Sequence, residues 1–206
     1  MGVDMHRFKP LPREEAETAL GLDKGIRRVL YVGAITRPKG IEQLLRAFAR
    51  LQLATGGPAQ LLLIGDGDYA DPAQVLVHEL GIGQYITFVG KRPNEEIPLW
   101  INASDVLVLP SLSEGLGVVL IEALACGKPV VATACGGPED IVTPQNGILV
   151  PPGDEIALGD ALTAVLANEH RFSTQAIRGY AVDNYAYERV GALLLGLYRQ
   201  VLGAQE

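Results

Sequence analysis

The sequence predicts an α/β protein with a doubly wound, mostly parallel sheet of about six strands. Three observations predict it. Short apolar runs without polar alternation recur at Arg28–Ala34, Gln60–Ile64, Ile86–Val89, Val106–Leu109, Val130–Thr133 and Gly147–Val150. Strands buried on both faces, as in parallel sheets, read this way. Amphipathic stretches at helical spacing separate most of these runs, which is the alternation that winds a sheet with helices on both sides. Finally, Val106–Val131 contains strand, loop, helix and strand in succession, a complete βαβ unit.

That unit organises the chain. Val106–Leu109 is stopped by Pro110, and a Gly-containing loop, Ser111–Gly117, follows. Val118, Leu120, Ile121, Leu124 and Ala125 then recur at helical spacing, and Gly127 sits where a helix C-terminus needs a residue free to take positive φ. Glu114 lies in the loop at the carboxyl end of the strand, where open α/β sheets bind ligands. Glu122 lies on the helix among apolar neighbours, where a carboxylate needs a partner or a solvated pocket. Gly115 and Gly117 cost stability unless they serve close backbone approach.

The segment Ser-Leu-Ser-Glu-Gly-Leu-Gly-Val-Val-Leu-Ile-Glu-Ala-Leu-Ala-Cys-Gly-Lys-Pro-Val-Val resembles the signature of the group 1 glycosyltransferases, the retaining nucleotide-sugar-dependent family with two facing Rossmann-like domains (GT-B). Its mark is two glutamates separated by seven residues, matched by Glu114 and Glu122. The resemblance implies that Glu114 contacts the donor sugar hydroxyls and Glu122 the ribose, roles suited to carboxylates that accept paired hydroxyl hydrogen bonds. Gly115, Leu116 and Gly117 would line the same donor site. The expectation is that both carboxylates converge on one cleft rimmed by glycine turns.

Two further segments carry the resemblance. After the first strand, Gly33 opens a loop and Lys39-Gly40 precedes a helix with Ile41, Leu44, Leu45, Phe48, Ala49 and Leu51 on one face. Free N–H groups and the helix dipole make such a start an anion site. The family places Arg directly after this glycine and Lys five residues later, both on the donor diphosphate. Lys39 matches, and Ala34 stands where the Arg is usual, with Arg37 as a candidate substitute. After the second strand, Gly65-Asp66-Gly67 matches the family's turn against the donor. A metal-binding Asp66-x-Asp68 pair and a dinucleotide fingerprint are the other readings of that turn, although the fingerprint belongs after a first strand.

The remaining chain fits one domain, 1–206. Met1–Pro12 resembles the segment that opens the second domain of these transferases, with Met1 where Asn is usual, so Met1 is expected to be an introduced start and a first domain to be missing. Residues 13–20 read as a short amphipathic helix. Asp71 is expected to cap a helix over Asp71–Leu80 and Asn94 one over Glu95–Ala103, whose Trp100 reads as core. Gly90 and Lys91 in the loop after the third strand would face the base, although Lys91 and Arg92 read equally as solvated charges. Gly136-Gly137 reads as a nest of N–H groups for phosphate, and Glu139 as a packing residue. Asp154 starts a helix to Asn168, and 171–206 read as C-terminal helices in which Leu193, Leu194 and Leu197 would be exposed if a partner domain is absent.

Composition narrows the function. Hydrophobic residues at 48% and charged residues at 20% are globular values, and a net charge of −7 provides no basic footprint for nucleic acid. No apolar run reaches the length of about 18 residues needed to span a membrane. Cys126 and Cys135 read as free thiols, and His6, His78 and His170 as surface residues; no metal and no cofactor are expected. The predicted function is that of the donor-binding domain of a retaining glycosyltransferase, cytoplasmic, or peripheral at a membrane in the longer protein. Its acceptor is unknown, and the chain alone is expected to be inactive. A nucleotide-sugar epimerase, a phosphorylase-like enzyme, a non-catalytic nucleotide-binding module and a nicotinamide-binding domain are the alternatives.

Overall fold

The computed structural model describes residues 1–54, 59–167 and 172–203. Its six strands are β1 (Arg27–Val32), β2 (Ala59–Ile64), β3 (Ile86–Gly90), β4 (Val106–Leu109), β5 (Val130–Thr133) and β6 (Gly147–Val150). They form one sheet in the order β3-β2-β1-β4-β5-β6, and every pairing is parallel. β4 and β5 are buried at every position, which requires cover on both faces. The helices are α1 (Arg13–Leu20), α2 (Ile41–Ala54), α3 (Ala70–Glu79), α4 (Ile97–Asn102), α5 (Val118–Ala125), α6 (Glu155–Ala167), α7 (Thr174–Tyr185) and α8 (Tyr187–Gly203). α2 packs with α3 and α6, while α4 packs with α1 and α5, and α5 with α7. With the right-handed crossovers that parallel units almost always take, the two groups fall on opposite faces, giving the expected doubly wound sheet.

The strand order reverses between β1 and β4. From β1 the chain winds outward through β2 to β3, and from β4 outward through β5 to β6. Loops leaving the carboxyl ends of β1 and β4 therefore diverge and leave a crevice between them, where ligands of such sheets bind.

Several boundaries differ from the sequence expectation, most by a single residue. β1 ends at Val32 rather than Ala34, because the Tyr31 hydroxyl donates to Ala34 O at 2.7 Å and turns the chain over. α3 starts at Ala70, one residue before the expected Asp71 cap: the buried Tyr69 is held by its N–H to Ile35 O and receives Ala73 N–H, leaving Asp71 inside the first turn. α4 starts at Ile97, not after Asn94, because Pro98 suits a first helical turn and Pro93–Glu96 closes a separate turn before it. The C-terminal helical stretch is broken at Ala186, whose extended backbone pairs with Val3. Asp154 caps α6 as expected, accepting from Ile156 and Ala157 N–H. The expected helix end at Asn168, together with His170 and Arg171, lies outside the described residues.

The opposite edge of the sheet carries a charge network with no signal in the pattern. Arg28, wholly buried at the start of β1, donates to Glu17 Oε1 at 2.6 Å, to Gln60 Oε1 at 3.1 Å and to Asp23 O. Its N–H donates to Asp105 Oδ2 at 2.6 Å, and Arg13 bridges Glu17 and Asp105. Removing one member of such a buried pair strands the other's charge. Glu17→Ala is expected to cost about 3–5 kcal/mol of unfolding free energy, read as a lower urea midpoint at unchanged slope.

Candidate functional site

The two loops at the strand-order reversal are pressed together by backbone. After β1, Arg37–Lys39 form a 3₁₀ turn ended by Gly40 in the left-handed region (φ 68°). A Cβ on Gly40 would lie 1.9 Å from Pro110 O, so only glycine lets this turn sit on the start of the β4 loop. Leu112 N–H donates to Pro38 O at 2.8 Å and closes the contact. The side chains complete it: Lys39 Nζ is 2.7 Å from Glu114 Oε2, and both groups are partly shielded from water.

Glu114 is held from three directions. Its carboxylate accepts from Lys39 and from the buried Ser111 hydroxyl at 3.3 Å. Its carbonyl accepts Gly137 N–H at 2.9 Å, and its N–H donates to Cys135 O. Ser111 O in turn receives the Thr133 hydroxyl, tying the β4 loop to the end of β5. Burial pushes the Glu114 carboxyl up, but the Lys39 ammonium, the Ser111 hydroxyl and the Gly115 N–H together hold it below the usual carboxylate range.

Gly136-Gly137 differs from its expected role as a phosphate nest. The Gly137 N–H is engaged by Glu114 O, and the Gly136 N–H donates to Glu139 Oε2 at 2.9 Å. The 3₁₀ turn Gly137–Asp140 is a buttress for the Glu114 loop. A Cβ at Gly137 would meet Gly115 O and the Leu116 backbone at 2.4–2.6 Å.

Beside this core lie two cavities, each of about 360 Å³. The first is lined by Gly33, Ala34, Gly65, Asp66, Lys91, Arg92, Asn94 and neighbouring strand ends. Its floor is two glycine backbones in contact: a Cβ at Gly65 would lie 1.8 Å from Gly33 O, and one at Gly67 2.3 Å from Ile35 O. Gly90 O accepts the Gly65 N–H behind them. Lys91 pairs loosely with Asp66 at 3.5 Å, and Arg92 lies over the buried Trp100 ring at 5.9 Å. Arg37 is elsewhere: its guanidinium stacks over Tyr69 at 5.3 Å, outside the lining.

The second cavity holds Glu122, with Gly2, Asp4, Arg7, Asn94, Val118 and Tyr187 among its walls. Burial pushes the Glu122 carboxyl up to about 7, against the pull of Arg7. Glu122 lines this second cavity, and Glu114 lines neither of the two, so neither of them alone is the shared cleft expected from the sequence. Glu114 closes the crevice against Lys39, Glu122 faces the N-terminal segment, and Asn94 forms a wall common to both cavities. Glu114 lies in the loop before α5, whereas Glu122 lies within the helix. Gly117, at φ 74°, sets the start of α5 between them. Gly115 has nothing within 4 Å of its would-be Cβ, so packing does not demand glycine there.

Residues 12–181 match the family described as glycosyl transferases group 1. The chain belongs to that family. A D-inositol 3-phosphate glycosyltransferase of Catenulispora acidiphila is 33% identical over 98% of this chain and 50% of its own length. A GDP-mannose-dependent alpha-(1-6)-phosphatidylinositol monomannoside mannosyltransferase of Mycolicibacterium smegmatis is 32% identical over 95% of this chain and 54% of its own. The chain thus spans about half the length of these curated relatives. The sucrose-phosphate synthase of Thermosynechococcus elongatus superposes with a TM-score of 0.87 at 34% identity, covering 98% of this chain and 52% of that one. This group 1 chain has the Rossmann-like fold of one GT-B half.

The sequence assigns no ligand-site role to Ser111 and Thr133 behind Glu114, to Arg7 opposite Glu122 or to Asn94 between the cavities, although Ser111 and Arg7 lie inside segments that carry the resemblance. Among the described residues no helix is long and apolar enough to cross a membrane. His6 and His78 are exposed, and Trp100 is core. Burial pushes the Cys126 thiol up to about 12, so it is an inert buried group.

Two outcomes follow for this site. Gly137→Ala is expected to cost roughly 1–3 kcal/mol by overpacking the Glu114 loop, measured by denaturant unfolding. Because the Glu114 carboxyl is depressed in the folded state, its pairing stabilises above the ordinary carboxylate range and is lost as pH falls through the depressed value. Lys39→Met removes the main group opposing burial, so the Glu114 titration, followed by carboxyl ¹³C NMR, is expected to move upward.

Proposed function

We propose that this chain is the donor-binding half of a glycosyltransferase that moves a sugar from a nucleoside diphosphate to an acceptor hydroxyl with retention. The observation that carries the reading is the Lys39–Glu114 pair at the strand-order reversal, a cation and a carboxylate held side by side where such sheets bind ligands. Lys39 is the catalytic cation: it meets the donor diphosphate and stabilises charge growing on it as the glycosidic bond breaks, the kind of preplaced electrostatic contribution that often dominates. The N-terminus of α5, with a glycine cap and no side chain bonded to it, adds N–H donors on the same side. Glu114, released from Lys39 as the diphosphate takes the cation, orients the sugar through its hydroxyls.

The other pieces fit around that event. Gly115 has open space above it and admits the sugar or phosphate to the backbone of Gly115, Leu116 and Gly117. The Gly33–Gly65 cavity, with Gly67 and Gly90 supporting its floor and Lys91 at its rim, takes the nucleoside base. Glu122 takes the ribose. Arg37 serves at most the outer approach, and the cation missing at Ala34 is supplied from Lys91 and Arg92. Retention rests on the resemblance of the Glu114–Glu122 segment.

A nucleotide-sugar donor agrees with the GDP-mannose named for the mycobacterial relative. The acceptor contacts belong to the other half of the longer protein, to which residues 1–12 would be the linker. The exposed Leu193, Leu194, Leu197, Tyr198 and Val201 of α8 would pack on that half. The chain alone therefore binds donor and does not turn it over.

Calorimetric titration with UDP, GDP and ADP tests this. Saturable binding of at least one is expected, weakened about tenfold or more in Lys39→Ala, the scale of one charge-assisted contact. No binding of any of the three, or sugar transfer by this chain alone, would refute the corresponding part of the reading.

A further inference from the structure

One guanidinium holds three main-chain carbonyls from distant parts of the chain. Arg178, on α7, donates through Nη1 to Phe8 O and Ala125 O, and through Nη2 to Met5 O at 2.8 Å. Met5 and Phe8 belong to the N-terminal segment, and Ala125 is the last residue of α5, the helix that carries Glu122. The same segment is anchored a second time: Val3 N–H donates to Tyr185 O at 2.8 Å, and Val3 pairs with Ala186 at the break between α7 and α8. Within it the Asp4 carboxylate accepts the His6 and Arg7 N–H groups, folding a turn. Arg7 sits between the two carbonyls that Arg178 grips, and lines the cavity of Glu122.

We propose that Arg178 is a positioning residue of the donor site: by clamping Met5 and Phe8 to the end of α5 it fixes Arg7 opposite Glu122, and so prepares Glu122 to accept two hydroxyl hydrogen bonds. The inference rests on the proposed donor reading, in which those hydroxyls are the ribose's. The chemistry is specific. An ionised carboxylate accepts from both hydroxyls of a diol, whereas a protonated one must use an oxygen as a donor. Burial pushes the Glu122 carboxyl up to about 7 and the nearby Arg7 charge opposes it, so the placement of that cation shifts the balance towards the ionised form. The charged or titratable groups around Glu122 are Met1, Asp4 and Arg7 of the N-terminal segment, Cys126 on its own helix and Tyr187 on α8; Asn94, from the loop before α4, is neutral. Arg7 is the one basic side chain among them. It is exposed, and its charge acts on both Asp4 and Glu122, so its position depends on the N-terminal backbone that carries it together with Asp4. A planar fork is what three divergent carbonyls require; a lysine retains the charge and loses the geometry.

The test is the titration of the Glu122 carboxyl by ¹³C NMR in the wild-type chain, R178K, R7M and R7M/R178K. R178K and R7M are each expected to raise the midpoint, R178K by roughly half a pH unit, about threefold in ionisation equilibrium. The double variant is expected to move no further than R7M. GDP or UDP binding at pH 7 weakens by a similar factor in R178K. A midpoint unmoved in R178K, or moved as far in the R7M background as in the wild type, would overturn the proposal. Should R178K fail to fold, V3P frees the same segment from its other anchor with Arg178 intact; it is expected to raise the midpoint, and no change would overturn the proposal equally. A midpoint that shifts as expected in a chain that binds no nucleoside diphosphate supports the clamp and removes the donor reading instead.

Discussion

The closure of the crevice between β1 and β4 is the constraint on which the rest of this molecule depends. Parallel strands that wind outward in opposite directions leave their loops apart at the reversal. Here the gap is bridged at three levels: the Gly40 turn seated on Pro110, the hydrogen bond from Leu112 to Pro38, and the ion pair of Lys39 with Glu114. The first two set the distance, and the third uses it. Two opposite charges brought together at a partly shielded loop junction would be worth little as a stability device. In the proposed donor reading they are a pair kept ready for exchange with an anionic ligand.

Glycine is the means by which backbone, rather than side chains, builds the site. Gly65 against Gly33, Gly67 against Ile35 and Gly137 against Leu116 are approaches that no Cβ could enter. Each one packs the loop of one strand against that of the next. Gly115 is the contrast: it has no neighbour to avoid, and the space above it faces outward. The distinction separates glycines that make the scaffold from one that leaves room.

Charge is distributed to both ends of the sheet by different rules. At the amino edge, Arg28, Glu17, Arg13 and Asp105 are mutually satisfied, and their role is to fix the start of β1 against α1. At the carboxyl edge, satisfaction is partial: Glu114 has partners on every side, while Glu122 is half-buried with Arg7 as its counter-charge. Incomplete pairing in a cavity marks a place where a ligand can supply the missing partner.

Local pattern alone determined the six strands, their parallel sense and the alternation that winds helices on both faces, because buried strands and amphipathic helices each write their environment into consecutive residues. The Glu114–Glu122 spacing, the Gly-Asp-Gly turn and Lys39 were legible for the same reason: each is a short motif on one loop or helix. Only the tertiary structure decided that the N–H groups of Gly136-Gly137 are taken up in bracing the Glu114 loop, that Arg37 lies on Tyr69, and that Glu114 pairs with Lys39 while Glu122 lines a cavity with the N-terminal segment. It also decided the grip of Arg178 on Met5, Phe8 and Ala125. Those facts depend on which segments meet in space, and contacts between residues as far apart as Met5 and Arg178, 173 positions, leave no periodicity for a sequence to display.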